Sequence, residues 1–261
     1  MKIRLIKSSI SVLVLSIALL FFPAISSMAQ EEAVKEEKWN FAVAPYLLFP
    51  NMSGETTIKG IPIDASANAK DIYSNINLGG MLYVEASNAI MTFILDGYYV
   101  ALGAEGVTPL LSRSATVDLN QIAVSLYGMY RLNSWAEVGI GGRFNSIGST
   151  VTIAPGEYVL PGSEFSMDEG WFDPLIVARV MTQFNESKWR LGLMADFGGF
   201  GLGSNYAYQF NLFAGYQFLK WFEIDVAYRL NGMKYETGSG TDLFVYDVIL
   251  HGPTIGLVFL L

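Results

Sequence analysis

The chain has no cysteine and a single histidine, His251. The first absence excludes a disulfide framework, a thiolate metal site and a lipoprotein attachment point. The second excludes a histidine-rich metal cluster, so neither metal nor cofactor is expected. Charge is scarce too, at 15% of residues against 52% apolar, and basic residues are the scarcer kind, 16 against 24 acidic. Phosphate binding needs a basic surface, so nucleic acid is not an expected partner. Long apolar runs are also missing. Beyond residue 30 no stretch reaches the roughly 18 consecutive apolar residues of a membrane helix.

A chain this apolar needs either a large core or a lipid environment. Short alternating segments rich in aromatics and glycine meet that need, because each strand of a membrane barrel turns one face to lipid and the other to a polar lumen. The first 29 residues are expected to be a cleaved secretory signal. Lys2, Arg4 and Lys7 precede an apolar stretch over 10–22, Pro23 closes it, and Ser27 and Ala29 put small residues before Gln30. The remaining domain, 30–261, carries 13 basic and 24 acidic residues, a net −11.

Within that domain the period is two. Val138, Ile140 and Phe144 oppose Glu137, Gly139, Gly141, Arg143 and Asn145. Ile224, Val226, Tyr228 and Leu230 oppose Glu223, Asp225, Ala227, Arg229 and Asn231. A helical period would mix the two classes. The pattern predicts an all-β fold, an up-and-down antiparallel transmembrane β-barrel of about ten strands. They fall near 39–49, 78–86, 90–103, 115–131, 135–147, 169–184, 189–201, 205–218, 221–235 and 242–261. Eight or twelve strands stay open, because 50–77 has room for an extra hairpin above the membrane. Tight turns alternate with longer polar links, which sets both termini and the turns on the periplasmic side. Trp39, Trp135, Trp189 and Trp221 each start a strand on that side and form an expected interface girdle, with Trp171 near the opposite rim.

The register also predicts a lumen charge network of Glu85, Asp96, Arg131, Glu137, Arg143, Asp173, Arg179, Arg190, Asp196, Glu223, Asp225, Arg229, Asp247 and His251. Interior charges need partners, and the planar guanidinium can bridge two carboxylates. A structural plug and a narrow charge-lined path both fit such a set. Asp247 and His251 share a face of the last strand. At i, i+4 they stand about 13 Å apart, too far to bond, and no motif supplies a nucleophile, so no catalytic residue is expected. The glycines of Gly199-Phe200-Gly201-Leu202-Gly203 join two strands, which reads as a tight hairpin rather than a phosphate loop.

Several stretches resemble a widespread family of uncharacterised Gram-negative outer-membrane β-barrel proteins: WFDPLIVAR from Trp171 to Arg179, DFGGFGLGS from Asp196 to Ser204, the end of the chain from Asp247 through Gly252-Pro253, and PYLLFP from Pro45 to Pro50. The sequence departs from the family pattern at Val177, where glycine is frequent, and at Asn205, where aspartate is frequent. The resemblance implies the barrel fold and the bacterial outer membrane, and it carries no activity or site. Outer-membrane lipid and lipopolysaccharide are the expected surroundings. The apolar last strand, Thr254 to Leu261, resembles the signal read by the outer-membrane assembly machinery. The expected function is a non-enzymatic barrel, either a scaffold or a narrow passive channel. The alternatives are a hydrolase of lipid or peptide using His251, and a surface module binding through loops 50–77 and 148–168.

Overall fold

The computed structural model describes residues 38–107, 114–153, 163–183 and 187–261. The expected signal segment lies outside them, as do parts of two long links and of the turn before Trp189. The strands are β1 (Asn40–Leu48), β2 (Asn51–Ile58), β3 (Ile61–Asp64), β4 (Ile76–Ser87), β5 (Met91–Val107) and β6 (Ser114–Arg131). They continue with β7 (Ala136–Ile153), β8 (Ser163–Gln183), β9 (Trp189–Gly198), β10 (Tyr206–Leu219), β11 (Phe222–Thr237) and β12 (Phe244–Leu260). A short helix, α1 (Ala69–Ser74), is started by the Asn68 side chain accepting from the Asp71 amide.

Ten strands close a barrel. From β4 to β12 each pairs antiparallel with the next, and β1 pairs with both β4 and β12. Closure removes the sheet edges that would otherwise expose unpaired backbone to lipid. β2 and β3 are the extra hairpin that 50–77 has room for. β2 continues the line of β1 along the upper half of β12, from His251↔Asn51 to Val245↔Thr57, and β3 folds back on it. At the hairpin's end the Asp64 carboxylate accepts from the Ser66 amide, and these Ser66 bonds hold its carboxyl below the usual range.

The two ends of the barrel differ. At one end the turns are short and held by side chains: Asn88 accepts from the amides of Ile90 and Met91, Asn133 from those of Trp135 and Ala136, and Ser187 from that of Trp189. These residues mimic a backbone turn, which is why they recur there. At the other end the strands run further than their alternation suggests; β5 reaches Val107, β7 reaches Ile153 and β8 begins at Ser163. These ends rise past the level where one face must be apolar, so their polar residues hide the strand period.

The outward face is the apolar one. Ile140, Phe144, Phe172, Ile176, Leu126, Leu212 and Val226 are all exposed, Ile140 at 70%. A continuous exposed belt of large apolar groups marks a surface covered by something other than water. This is a transmembrane barrel of the outer-membrane type.

Candidate functional site

With lipid covering the outside, polar function is confined to the lumen and the two ends. All the predicted lumen charges face inward except Asp247 and His251. They lie in three tiers.

Nearest the turn end, Arg179 on β8 bonds both oxygens of Glu85 (2.6 and 3.2 Å) and Oε2 of Glu137 (2.8 Å). Glu137 also accepts from Arg131 at 3.0 Å and from Thr92 at 3.0 Å. On the neighbouring strand β9, Arg190 bridges Glu223 (2.7 Å) and Asp225 (3.0 Å). These groups line a cavity of about 500 Å³ that reaches the turn residues Asn133, Ser134 and Lys188.

The middle tier holds two arginine–aspartate–tyrosine triads. Arg143 meets Asp196 at 2.8 Å, and Tyr127 touches both, donating to Asp196 at 2.7 Å and accepting from Arg143 at 3.1 Å. The Ser125 hydroxyl accepts from Arg143 Nε at 2.9 Å. On the other wall Arg229 meets Asp96 at 3.0 Å, while Tyr46 donates to Asp96 and accepts from Arg229. The Arg229 guanidinium also lies 4.9 Å from the centre of the Tyr46 ring. Both ion pairs are buried, and hydrogen bonds to their remaining groups offset part of the cost of burying them. The tyrosines supply one such bond to each charged group, while Arg143 Nη1, Asp196 Oδ1 and Arg229 Nε are buried without a partner. Parity with Arg131 on β6 was the available signal for Tyr127; β1, with Leu47, Leu48 and Phe49 in a row, offered none for Tyr46.

The third tier is largely apolar. Ile147, Trp171, Ala207, Met233, Phe244, Tyr246 and Val248 form one buried cluster, and Met52, Ile58 and Ala65 of the β2–β3 region pack onto it. Trp171 is therefore a core residue and not a rim tryptophan; it stacks on Tyr235 at 4.2 Å. Its indole donates to Ser204 (2.9 Å), and Ser204 bonds Asp173 through both amide and hydroxyl. Asn145 completes the shell of Asp173 at 3.1 Å. A cavity bounded by Leu48, Tyr98, Arg229, Met233 and Tyr246 measures about 20 Å³, the room of one water.

Asp247 and His251 correct the expected network. On β12 the even residues Phe244, Tyr246 and Val248 turn inward, so both charged groups turn outward. Asp247 is bonded to Lys234 at 2.9 Å and accepts from Tyr206 at 3.1 Å. His251 shares a 2.7 Å hydrogen bond with Tyr228. Charge faces inward only where lipid lies outside. Above that level the inner face packs an apolar plug and the parity of polar residues inverts. The other tryptophans, Trp39, Trp135, Trp189 and Trp221, stand exposed at the turn end, each at or beside the start of a strand.

No protein-family model and no curated protein sequence matches the chain. Solved structures do resemble it. The outer membrane protease OmpT from Escherichia coli shares 9% identity, with 89% of this chain and 99% of that one covered, at a TM-score of 0.49. The translocator domain of the autotransporter NalP from Neisseria meningitidis shares 11%, with 85% and 88% covered, at 0.41. The attachment invasion locus protein Ail of Yersinia pestis shares 9%, with 86% and 99% covered, at 0.37. At these identities the likeness is one of architecture and extends to no site.

Proposed function

We propose that the protein is a non-enzymatic barrel of a bacterial outer membrane, a scaffold with a closed lumen rather than a channel. The observation that carries this is the middle tier. Arg143 and Asp196 are paired with side chains only 1% and 0% accessible, and the Arg229–Asp96 pair stands beside them at 9%. Charges so enclosed fix strand register and leave no hydrated path between them. The signal-like N-terminus and the apolar belt support the outer membrane. In that setting the short turns and the tryptophan girdle face the periplasm, lipid and lipopolysaccharide cover the belt, and the apolar last strand meets the assembly machinery. The runs Trp171–Arg179 and Gly198–Ser204 support membership of the widespread outer-membrane barrel family that they resemble. The hydrolase alternative has the least support, since Asp247 and His251 are each engaged with another partner.

Single-channel recording in planar bilayers tests the reading. A silent barrel is expected. Stepwise conductance from the pure folded protein would turn the charge network into the lining of a pore.

A further inference from the structure

The β9–β10 turn at the far end of the barrel, Gly199-Phe200-Gly201-Leu202-Gly203, carries no polar side chain. The β11–β12 link at the same end exposes Ser239, Thr241 and Asp242. Phe200 is 52% exposed and Leu202 81%, although both lie beyond the end of a strand, where barrel links ordinarily meet water. Phe200 also has a φ of +51°. That left-handed conformation is strained for a bulky side chain and free for glycine, which stands on either side. Such strain clusters where a side chain is needed in place.

The turn is set low. β9 ends at Gly198, nine residues above Trp189, or about 23 Å up a strand of ordinary rise and tilt. That is the top of an apolar band of about 25 Å. β8 pairs with Gly198 at Leu175 and continues twelve residues further, to Ser163, while β11 runs fifteen residues from Phe222 to Thr237. The rim is therefore lower at this turn than at β8 or β11. The outward face leads from the belt to the turn without interruption. Phe197 is the last outward residue of β9, and the Phe200 ring packs edge-on against it at 5.6 Å. On β10, Tyr206, Tyr208 and Phe210 follow one another along the same face, and the Tyr206 hydroxyl reaches Asp247. Aromatics with one polar end mark a membrane interface. The backbone suits the same place. The amides of Gly199, Gly201, Leu202 and Asn205 donate to the carbonyls of Pro174, Ser204, Gly199 and Lys234, and that of Ser204 to Asp173. These five donors need no water.

We infer that the β9–β10 turn is a membrane anchor, with Phe200 and Leu202 inserted among the acyl chains at the upper boundary of the lipid belt. Continuity selects the occupant, because the Phe200 ring touches a residue that lipid already covers. The turn is then held from both sides, by Ser204 on Asp173 within the barrel and by lipid outside it. The anchor rests on the reading that the barrel spans a bilayer, and a reporter within the belt separates the two.

Depth-dependent fluorescence quenching tests it. Trp39, Trp135, Trp189 and Trp221 are changed to Phe, which leaves the buried Trp171 as a constant background. Phe200→Trp, Leu202→Trp and Ile140→Trp are then introduced singly. Each protein is folded into phosphatidylcholine vesicles brominated either near the headgroup or near the end of the acyl chain. Heat-dependent migration on a denaturing gel verifies folding, and if Phe200→Trp does not fold, Leu202→Trp decides alone. Ile140→Trp, in the middle of the belt, should be quenched more by the chain-end bromines. Both turn variants should emit in the blue and be quenched more by the bromines near the headgroup. A water-like, unquenched emission from either turn variant, with Ile140→Trp quenched, overturns the anchor alone. An unquenched Ile140→Trp overturns the bilayer reading, and the anchor falls with it.

Discussion

Ser204 holds Asp173 twice, its amide donating to Oδ1 at 2.6 Å and its hydroxyl to Oδ2 at 3.0 Å. The contact clamps the β9–β10 turn onto β8. The turn suits the purpose: Gly199 and Gly201 have φ of +84° and +73°, and Gly203 lies so close to the Phe172 carbonyl that a Cβ there would collide with backbone. Asp173 is fully buried and also accepts from Trp171 and Asn145. Asp173→Asn keeps the shape but faces donors with an NH₂ group. Each donor left unpaired costs about 1–3 kcal/mol. The variant should therefore unfold at clearly lower urea, with Ser204→Ala intermediate. A parent-like midpoint for Asp173→Asn would show that the clamp contributes nothing.

The Arg143–Asp196 pair gives a sharper test of the plug. Removing one partner of a buried pair costs about 3–5 kcal/mol, because the other charge is stranded, while an apolar pair of similar volume can be neutral. Arg143→Met should destabilise strongly, and Arg143→Met with Asp196→Leu should recover most of the loss. The measurement is the urea midpoint of the gel-shifted folded form in detergent. If the double variant is as unstable as the sum of the singles, the two groups do not act as a pair.

These two sites also show how far the sequence could be read. The alternation that sets Glu137, Arg143 and Asn145 against Val138, Ile140 and Phe144 is imposed by lipid, so parity alone placed Arg143 inside. The same holds for Arg229 against Val226 and Tyr228. Partner choice was not legible, because Arg143 on β7 and Asp196 on β9 meet over the inner face of β8 and not through a ladder. Nor was the upper barrel. Where lipid ends, Asp247 and His251 can face out while Tyr246 and Val248 face in, and an aromatic such as Trp171 can be core. The resembling runs at 171–179 and 196–204 proved to be in contact through Trp171, Asp173 and Ser204, which a linear reading could not join.

The height of the lipid belt can be mapped by arginine. Ile140 is 70% exposed and sits five residues from Trp135, about 13 Å above the turn end. Ile140→Arg should cost about 2–4 kcal/mol on folding into vesicles, the penalty near a bilayer midplane. Val245 also faces outward, yet it lies fifteen residues up β12 from Leu260, above the band. Val245→Arg should fold nearly as well as the parent. Equal tolerance of the two changes would contradict a bilayer around the lower barrel.

The outward groups of β12 can be tested as a pair that is not one. Asp247 and His251 share a face, and their spacing along a strand is about 13 Å. Their partners differ, Lys234 and Tyr206 for one and Tyr228 for the other. Asp247→Asn should cost no more than about 1 kcal/mol, since its ion pair is half-exposed. His251→Ala should cost about 0.5–1.5 kcal/mol for one hydrogen bond. Independent sites add to within about 0.3–0.5 kcal/mol, so the double variant should show the sum of the two losses. Coupling well beyond that margin would mean that the two act as a unit, and it would restore an acid–base role for His251.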